Sequence, residues 1–330
     1  MTGETLLILS LIVPFAAAAL IPVFHRAPNA RETVTLSASA ILFLVVLALL
    51  WRVLAGERPA TGGLEVATGL DLGLSIEPLG MLFATVASGL WILNSIYSIG
   101  YMRGNDEPRQ TSYYVCFAVA LGSTIVIAFA ANLFTLFIGY EALTLSTYPL
   151  VTHKKTEEAK RAGRVYLIML LGTSMLLLLP AIVWTWYLAG SVAFTPGGIL
   201  AGTASPATIG VLLALYVFGI GKAAVMPMHF WLPAAMIAPT PVSALLHAVA
   251  VVKAGVFTVL KVTVYIFGID FLTETGAATW LTYVAAFTVV MASLIALTKD
   301  NLKARLAYST VSQLGYVVLA ASLATAAGII

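Results

Sequence analysis

The chain has 330 residues, of which 61% are hydrophobic and 9% are charged, and its mean hydropathy is +1.01. Soluble domains average about 45–50% apolar and about 25% charged residues. This composition therefore excludes a water-soluble enzyme and predicts a membrane protein. The net charge of +3 excludes nothing by itself. The single cysteine, Cys116, excludes a disulfide framework and a Cys-ligated zinc or iron–sulfur site built from this sequence alone.

Ten stretches of the sequence are apolar enough and long enough to span a membrane as helices, which takes about 20 residues each. The predicted spans are residues 4–24, 34–54, 76–100, 113–130, 132–152, 165–189, 207–236, 241–267, 279–298 and 305–327. The longest hydrophilic pieces, about 55–75 and 190–206, are Gly/Pro-containing connections. The sequence therefore predicts an all-α, polytopic membrane helix bundle.

The basic residues of the loops alternate between the two sides of these spans. The loops after spans 1, 3, 5 and 9 contain twelve Lys and Arg, whereas the opposite loops contain only Arg52 and Arg58. Cytoplasmic loops carry the excess of basic residues. The pattern predicts that these basic loops are cytoplasmic and that the N-terminus lies outside. No nucleotide-binding fingerprint occurs in the sequence, so nothing indicates ATP-driven transport.

Four charged residues lie inside predicted spans and away from the span ends: Glu141, Lys222, Lys253 and Lys261. A charge at the bilayer centre costs about 2.5–3.5 kcal/mol on insertion scales, so each is a candidate functional residue. Glu141 lies nine residues into its span, too deep for its carboxylate to reach either surface. Two interpretations are open for it: a protonated acid bonded to a neighbouring helix, and a proton-accepting carboxylate paired with an intramembrane lysine.

Lys222 lies beside a predicted break in the seventh span. Pro227 and Pro233 leave the carbonyls of Ala223 and His229 without their helical partners. A helix opened at mid-membrane survives only where it faces protein or water. Burial lowers a lysine pKa and a nearby carboxylate raises it. Lys222 could therefore switch its charge with a movable glutamate, the alternative being a lysine that snorkels to the interface.

The eighth span, residues 241–267, contains His247, Lys253 and Lys261. Eight residues at about 100° each place the two lysines about 80° apart and about 12 Å along the helix axis. Lys253 is central, which favours a relay role. Lys261 is nearer the outer end, where snorkelling fits equally well. His247 could shuttle protons near neutral pH or be a packed, hydrogen-bonded histidine.

The remaining titratable residues give weaker indications. His229 follows Lys222 by seven residues, and Lys303 precedes the tenth span, where it is a positive-inside anchor or a proton-exit residue. His25 and His153 lie in basic loops, where no specific role is expected. With four histidines and no second ligand at close spacing, the sequence predicts no metal site. No cofactor and no nucleic-acid partner are expected.

Three segments resemble the proton-antiporter membrane domain shared by Mrp-type cation/proton antiporters and the antiporter-like subunits of respiratory complex I. They are KAAVMPMHFWLPAAMIAPTPVSALLHAVAVVKAGVF (222–257), NLFTLFIGYEALTLSTYPLV (132–151) and DNLKARLAYSTVSQLGY (300–316). HAVAVVKAGVF and LTLSTYPLV look most like the Mrp-type D subunit. The resemblance implies that Glu141 and Lys222 form a coupled acid–lysine pair, that Lys253 and His247 are the central relay, and that Pro227 breaks the seventh helix.

The resemblance also implies a domain division, with N-terminal membrane helices at 1–127 and the proton-antiporter domain at 128–330. Members of the family have about fourteen membrane helices, including a second broken one. This chain ends at Ile330, about the end of the tenth predicted span, so the resemblance implies a domain truncated at its C-terminus. The rest of the proton path would then lie elsewhere.

The leading hypothesis is a subunit of a multisubunit Na⁺(or K⁺)/H⁺ antiporter in the bacterial inner membrane, with other membrane subunits as partners. Glu141, Lys222, Lys253 and His247 would carry protons. The alkali cation is expected to cross elsewhere, because Glu141 is the only buried carboxylate predicted. Two alternatives stay open: a proton-pumping membrane subunit of a complex I-like or hydrogenase redox complex, and a non-conducting scaffold subunit.

Overall fold

The structure, a computed structural model, describes residues 2–67 and 70–325 and is almost entirely helical in that part of the chain. The helices of the first part are α1 (Gly3–Leu20), α2 (Pro28–Leu54), α3 (Pro78–Gly104), α4 (Gln110–Phe129), α5 (Leu133–Val151), α6 (Glu157–Thr173) and α7 (Leu179–Ala189). The second part contains α8 (Pro206–Gly219), α9 (Trp231–Ala234), α10 (Thr240–Ala244), α11 (Val251–Val262), α12 (Ile269–Thr275), α13 (Thr279–Leu297) and α14 (Leu302–Ser322). The predicted all-α membrane fold is confirmed.

Shorter turns join several of these helices into longer rods. Single π-helical turns at Ser174–Leu178, Leu245–Val249 and Thr263–Phe267 connect α6 to α7, α10 to α11, and α11 to α12. Such turns interrupt the regular hydrogen-bond ladder locally and are frequent at functional sites. Counted through these turns, Glu157–Ala189 is a rod of 33 residues and Thr240–Phe267 one of 28 residues.

Seven helical rods in the described part of the chain are long and apolar enough to cross a membrane. They are Gly3–Phe24, Pro28–Leu54, Pro78–Gly104, Gln110–Phe129, Glu157–Ala189, Thr240–Phe267 and Thr279–Leu297. The three other predicted spans fall on α5, on the interrupted stretch from α8 to α9, and on α14. The boundaries shift most at the sixth span, where the rod begins at Glu157 rather than at residue 165.

One feature of the connection at 55–75 was not expected from its Gly and Pro residues. Leu64–Ala67 and Leu70–Leu72 form a two-stranded antiparallel sheet, in which Leu64 pairs with Leu72. The amide of Ser75 then donates to the carbonyl of Phe129 at 2.7 Å. The alternating LEV and LDL segments fit paired strands, because side chains on a strand alternate between its two faces. The connection therefore packs as a small hairpin.

The described residues divide into two compact units. The first comprises residues 1–159 and 238–251, and the second comprises residues 160–237 and 252–330. The unit boundary therefore differs from the division at 127/128 that the family resemblance implies, which stays a prediction.

In the first unit, α4 is the central helix. It packs against α1, α3 and α5, and α2 packs against α1 and α3. Most of its residues are buried, including Tyr113, Tyr114 and Phe117 near its beginning. Its serine and threonine hydroxyls bond back to carbonyls of the same helix, as Ser123 does to Val119 at 2.8 Å. An otherwise apolar helix can in this way bury hydroxyl groups without leaving them unpaired.

In the second unit, α13 and α14 form an antiparallel pair in close contact. Ser293 and Ser312 join the two helices by a hydrogen bond of 2.9 Å, and the Ser312 hydroxyl lies 3.1 Å from the carbonyl of Val289. Small residues and interhelical hydrogen bonds are the usual means of association inside lipid, where apolar contact alone provides little preference. This pair supports the site described next.

Candidate proton-transfer site

The seventh predicted span is not a continuous helix, and Lys222 lies within its interruption. Helix α8 ends at Gly219, a single 3₁₀ turn follows at Gly221–Ala223, and regular helix resumes only at Trp231. Ala224 has a left-handed backbone with φ of +53°, a conformation that costs a non-glycine residue about 1–2 kcal/mol. The break begins ahead of Lys222, earlier than the position of Pro227 predicted.

The side chain of Lys222 is completely buried. The carbonyl of Gly221, beside it, accepts a hydrogen bond of 2.9 Å from the indole nitrogen of Trp231. The amide of Met226 donates to the hydroxyl of Thr288 at 3.2 Å. These contacts hold the backbone of the break on both sides of Lys222, so that the groups freed from helical pairing find other partners, as an interrupted membrane helix requires.

Helix α11 lies directly against the break through a glycine. A Cβ at Gly255 would overlap the backbone at Lys222 and Ala223, so only glycine permits this approach. Lys253 precedes Gly255 by two residues on the same helix and is exposed at the surface of the described chain. The structure thus brings the helix of Lys253 against the backbone of Lys222, and Lys253 lies near the middle of Thr240–Phe267. Its relay role stays a prediction.

Lys261 occupies a fully buried site near the end of α11. Its ammonium lies 4.4 Å from the ring centroid of Phe194 and 5.7 Å from that of Phe257. An aromatic face attracts a cation by about 2 kcal/mol or more when the pair is desolvated. The snorkelling interpretation of Lys261 is therefore wrong: the loop after α7 covers this lysine.

The second half of the broken helix packs against α14 around His229. The ring of His229 lies 5.9 Å from that of Tyr308, and the ammonium of Lys299 lies 5.5 Å from the same tyrosine ring. Lys303 donates to the carbonyl of Met236 at 3.5 Å. His229 and Lys303, the two weaker candidates, are thus brought to one helix pair of the second unit.

Glu141 and His247 belong to the first unit. Glu141 is 9% exposed on α5, in agreement with its predicted depth. Neighbouring hydroxyls on α5 bond within the helix, as Thr144 does to Tyr140 at 3.1 Å. His247 is half-buried in the π-helical turn Leu245–Val249, which packs against α3. A π-turn departs from the regular helical spacing, so the direction of His247 relative to Lys253 does not follow the usual 100° per residue.

One face of α3 is polar and buried, which the sequence analysis did not single out. Trp91, Asn94, Ser95 and Ser98 are each at most 7% exposed, and their spacing places them on one side of the helix. Within the described part of the chain, the Trp91 indole nitrogen, the Asn94 amide oxygen and the Ser95 hydroxyl have no hydrogen-bond partner. A buried polar atom left unpaired costs about 1–3 kcal/mol.

A buried ion cluster joins α2 to α3 near the basic loops. Arg31 and Glu32 are both 4% exposed and lie 3.4 Å apart, and Arg103 donates to both carboxylate oxygens of Glu32. The Arg31 guanidinium lies 5.2 Å from the ring centroid of Tyr114. The expectation that Glu141 is the only buried carboxylate is therefore wrong, because Glu32 is buried between two arginines.

His153, expected to have no specific role, is 4% exposed in the loop after α5. Its Nε2 lies 3.7 Å from a carboxylate oxygen of Glu107, and its ring lies edge-on to Tyr113 at 6.1 Å. Arg109 donates to its backbone carbonyl. Burial lowers the pKa of His153, with Arg109 and Lys154 acting in the same direction and Glu107 and the Pro108 carbonyl opposing it.

No cluster of three or more His, Cys, Asp or Glu side chains that could hold a metal ion occurs within residues 2–67 and 70–325. What the structure provides is a set of single titratable side chains, of which Lys222 lies in a helix break and His247 in a π-turn, while Glu141 is buried on the regular helix α5. Such groups can accept and release protons one at a time. Discontinuous helices lining a polar site are also the usual architecture of secondary transporters.

Comparison with known proteins gives the family. Residues 130–330 match the family described as "NADH:quinone oxidoreductase/Mrp antiporter, TM", and the chain belongs to this family. Subunit L of NADH-quinone oxidoreductase from Mycobacterium tuberculosis is 33% identical over 80% of this chain and 40% of that protein. Na(+)/H(+) antiporter subunit A1 from Staphylococcus aureus is 28% identical over 95% of this chain and 39% of that protein.

A solved structure of a related complex supports the same family assignment. A chain of the Mrp complex from Dietzia sp. DQ12-45-1b matches 98% of this chain with a TM-score of 0.84 and 28% identity, over 34% of its own length. The predicted resemblance to the Mrp-type superfamily is confirmed. The chain spans about 40% of the length of these curated relatives. It is an antiporter-like membrane protein of a family that occurs in multisubunit complexes.

Proposed function

We propose that this protein is a membrane subunit of a multisubunit Na⁺(or K⁺)/H⁺ antiporter and that it conducts protons. The observation that carries this proposal is Lys222, fully buried in a helix break and held against α11 through Gly255. A buried lysine readily shifts its pKa and can exist in either charge state. Relatives named as antiporter subunits support the same function.

Within this proposal, Glu141 modulates the charge of Lys222, and Lys253 and His247 pass protons onward. A carboxylate favours the protonated lysine, and its withdrawal favours release of the proton. His229 and Lys303, which lie at the second half of the broken helix, have a secondary role in proton transfer. The alkali cation crosses at another subunit or at an interface, since Glu141 is the carboxylate proposed here for proton chemistry.

The proposed setting is a bacterial inner membrane, with the basic loops in the cytoplasm and the N-terminus outside, among other membrane subunits. The two Staphylococcus relatives are A1 subunits, which favours an A-type position in an Mrp complex over the D-type position that the sequence predicted. We propose the same relay for either position. The experiments below therefore apply to either.

The experiment on Glu141 uses the complete complex reconstituted in vesicles with a pH-sensitive dye inside. We expect Glu141→Gln, which keeps the shape of the side chain and removes its charge, to slow cation-dependent proton exchange at least tenfold. Glu158→Gln is the matched control, because Glu158 is exposed in the first turn of α6. Normal assembly with exchange at the wild-type rate in Glu141→Gln would contradict the proposed role and favour a scaffold subunit.

A second candidate function is a proton-pumping subunit of a redox complex, which the subunit L relatives favour. The two candidate functions predict different partner subunits for this protein. The protein would be purified gently from its native host, and its subunit masses and visible absorption recorded. Small colourless hydrophobic partners are expected for the antiporter. Hydrophilic partners with flavin or iron–sulfur absorption would make the protein the pump module of a redox enzyme.

A further inference from the structure

The polar face of α3, formed by Trp91, Asn94, Ser95 and Ser98, lies where a path from the basic loops to His247 would pass. Helix α3 packs against α10 and against the π-turn Leu245–Val249 that contains His247. The Asn94 side chain donates to the carbonyl of Pro241 on α10 at 3.4 Å. The polar face is therefore turned toward the segment that presents His247.

Several polar atoms on this face, and one on the neighbouring helix α10, are buried and unpaired in the described part of the chain. The Trp91 indole nitrogen, the Asn94 amide oxygen, the Ser95 hydroxyl and the Ser243 hydroxyl have no hydrogen-bond partner among the described residues, although each residue is at most 9% exposed. They include one obligate donor, one obligate acceptor and two hydroxyls that can act as either. Buried polar groups that lack protein partners are the usual ligands of internal water.

The same face continues to a pair of titratable residues at the basic loops. The Ser98 hydroxyl bonds to the hydroxyl of Tyr113 at 2.7 Å. The ring of Tyr113 packs edge-on against His153, whose Nε2 lies 3.7 Å from the carboxylate of Glu107. An imidazole binds and releases protons near neutral pH, and the carboxylate of Glu107 lies beside this one at the basic loops.

We propose that ordered waters along the polar face of α3 form a proton-access path from Glu107 and His153 to His247. This inference rests on the proposed function, because it supplies the proton that the relay passes on. Each water accepts a proton from one neighbour and gives another to the next. The number of protons is therefore conserved along the path, and no oxidant or reductant is needed.

The path is tested by changing its polarity separately from its volume. In the complete complex, Asn94→Leu keeps the branched shape and the number of side-chain heavy atoms and removes the polar atoms, whereas Asn94→Ser is smaller and introduces a hydroxyl. We expect Asn94→Leu to slow proton exchange at least tenfold and Asn94→Ser to slow it less than threefold. If the residue acted only by packing, the serine variant would be the more impaired, and that order would overturn the proposal.

A matched pair of serines on the same helix provides the control. Ser95 and Ser88 are both buried, but the Ser88 hydroxyl bonds to the carbonyl of Thr85 at 3.2 Å, whereas Ser95 has no partner in the described structure. We expect Ser95→Ala to slow proton exchange severalfold and Ser88→Ala to leave it unchanged. Equal effects of the two substitutions would overturn the proposal.

The water itself is tested independently of transport. Hydroxyl radicals made by X-ray radiolysis of bound water label neighbouring side chains, so Trp91 is the probe, since it is fully buried from bulk solvent. We expect prompt labelling of Trp91 in the wild-type complex, at least a threefold decrease in Asn94→Leu, and no change in Ser88→Ala. If Asn94→Leu did not alter the labelling of Trp91, the polar face of α3 would hold no bound water and the proposal would be overturned.

Failure of this path and failure of the proposed function have different signatures. If Glu141→Gln and Lys222→Met stop exchange while Asn94→Leu exchanges at the wild-type rate, the relay stands and protons reach it by another route. If none of the three variants slows exchange, the chain conducts no protons and the relay itself is wrong. Either result overturns the path.

Discussion

At the scale of single residues, the buried charged side chains of this protein fall into two groups. Glu32 has Arg31 and Arg103 beside it, which compensates its charge with a fixed geometry. Lys222 is instead buried in a helix break, and we propose that its charge state depends on a movable carboxylate. Removing one member of a buried ion pair strongly destabilises the folded protein, because the remaining charge is buried without an opposite charge. We therefore expect substitutions at Glu32 to act on stability and substitutions at Lys222 to act on transport.

Removing the charge of Glu32 should destabilise the protein without acting on the relay directly. Glu32→Gln leaves Arg31, 4% exposed, without its carboxylate, at a cost of about 3–5 kcal/mol. The measurement is the thermal unfolding midpoint of the detergent-solubilised complex. Glu57→Gln is the matched control, because its partner Arg52 and Glu57 itself are 31% and 50% exposed and such pairs contribute about 0–1 kcal/mol. Equal shifts for both would contradict this account.

His153 should make stability depend on pH. Burial lowers its folded-state pKa below the value of about 6.5 in unfolded chains, so between the two values the unfolded state binds more protons. Stability therefore rises with pH through this range and is lost as the pH falls below about 6.5. We expect His153→Gln to flatten the acid side of the Tm–pH profile. His25→Gln, at an exposed position, should leave the profile unchanged.

At the scale of elements, the helix break depends on more than its prolines. Pro227 explains why Ala223 lacks its helical partner, but the chain leaves helical geometry already after Gly219. Gly219 and Gly221 have no side chain where Leu178 and Thr173 approach them, so neighbouring helices support the break at that point. Sequence reasoning located the break within a few residues. Its exact start depended on close approaches between helices, which spacing alone does not reveal.

Gly255 should be the most sensitive glycine of this arrangement. In Gly255→Ala, the new Cβ would overlap the backbone at Lys222 and force α11 away, at a cost of about 1–3 kcal/mol. We expect a lower yield of assembled complex and slower proton exchange, measured by size-exclusion chromatography and the vesicle assay. Gly172→Ala on α6, where nothing lies within 4 Å, is the control and should be neutral or slightly stabilising. Wild-type behaviour of Gly255→Ala would contradict the close packing.

At the scale of the whole molecule, hydropathy and the periodicity of apolar residues predicted the architecture well. Seven of the ten predicted spans are single apolar rods, and the buried positions of Glu141 and Lys222 agree with their depth. The burial of Lys261 could not be read from the sequence, because the loop that covers it follows a different helix, far away in sequence. The polar face of α3 was visible as a spacing of three and four residues. Only the structure shows that all four of its residues are buried, which is what marks the face as a candidate polar path.

The central claim is that Lys222 exchanges protons during transport. It is tested most directly by proton exchange in vesicles containing the complete complex with Lys222→Met, which keeps the length of the side chain and removes its amine. Lys154→Met, on an exposed loop, is the matched control. This account predicts at least a tenfold loss of exchange in Lys222→Met, full assembly, and no loss in the control. Exchange at the wild-type rate in assembled Lys222→Met would contradict it.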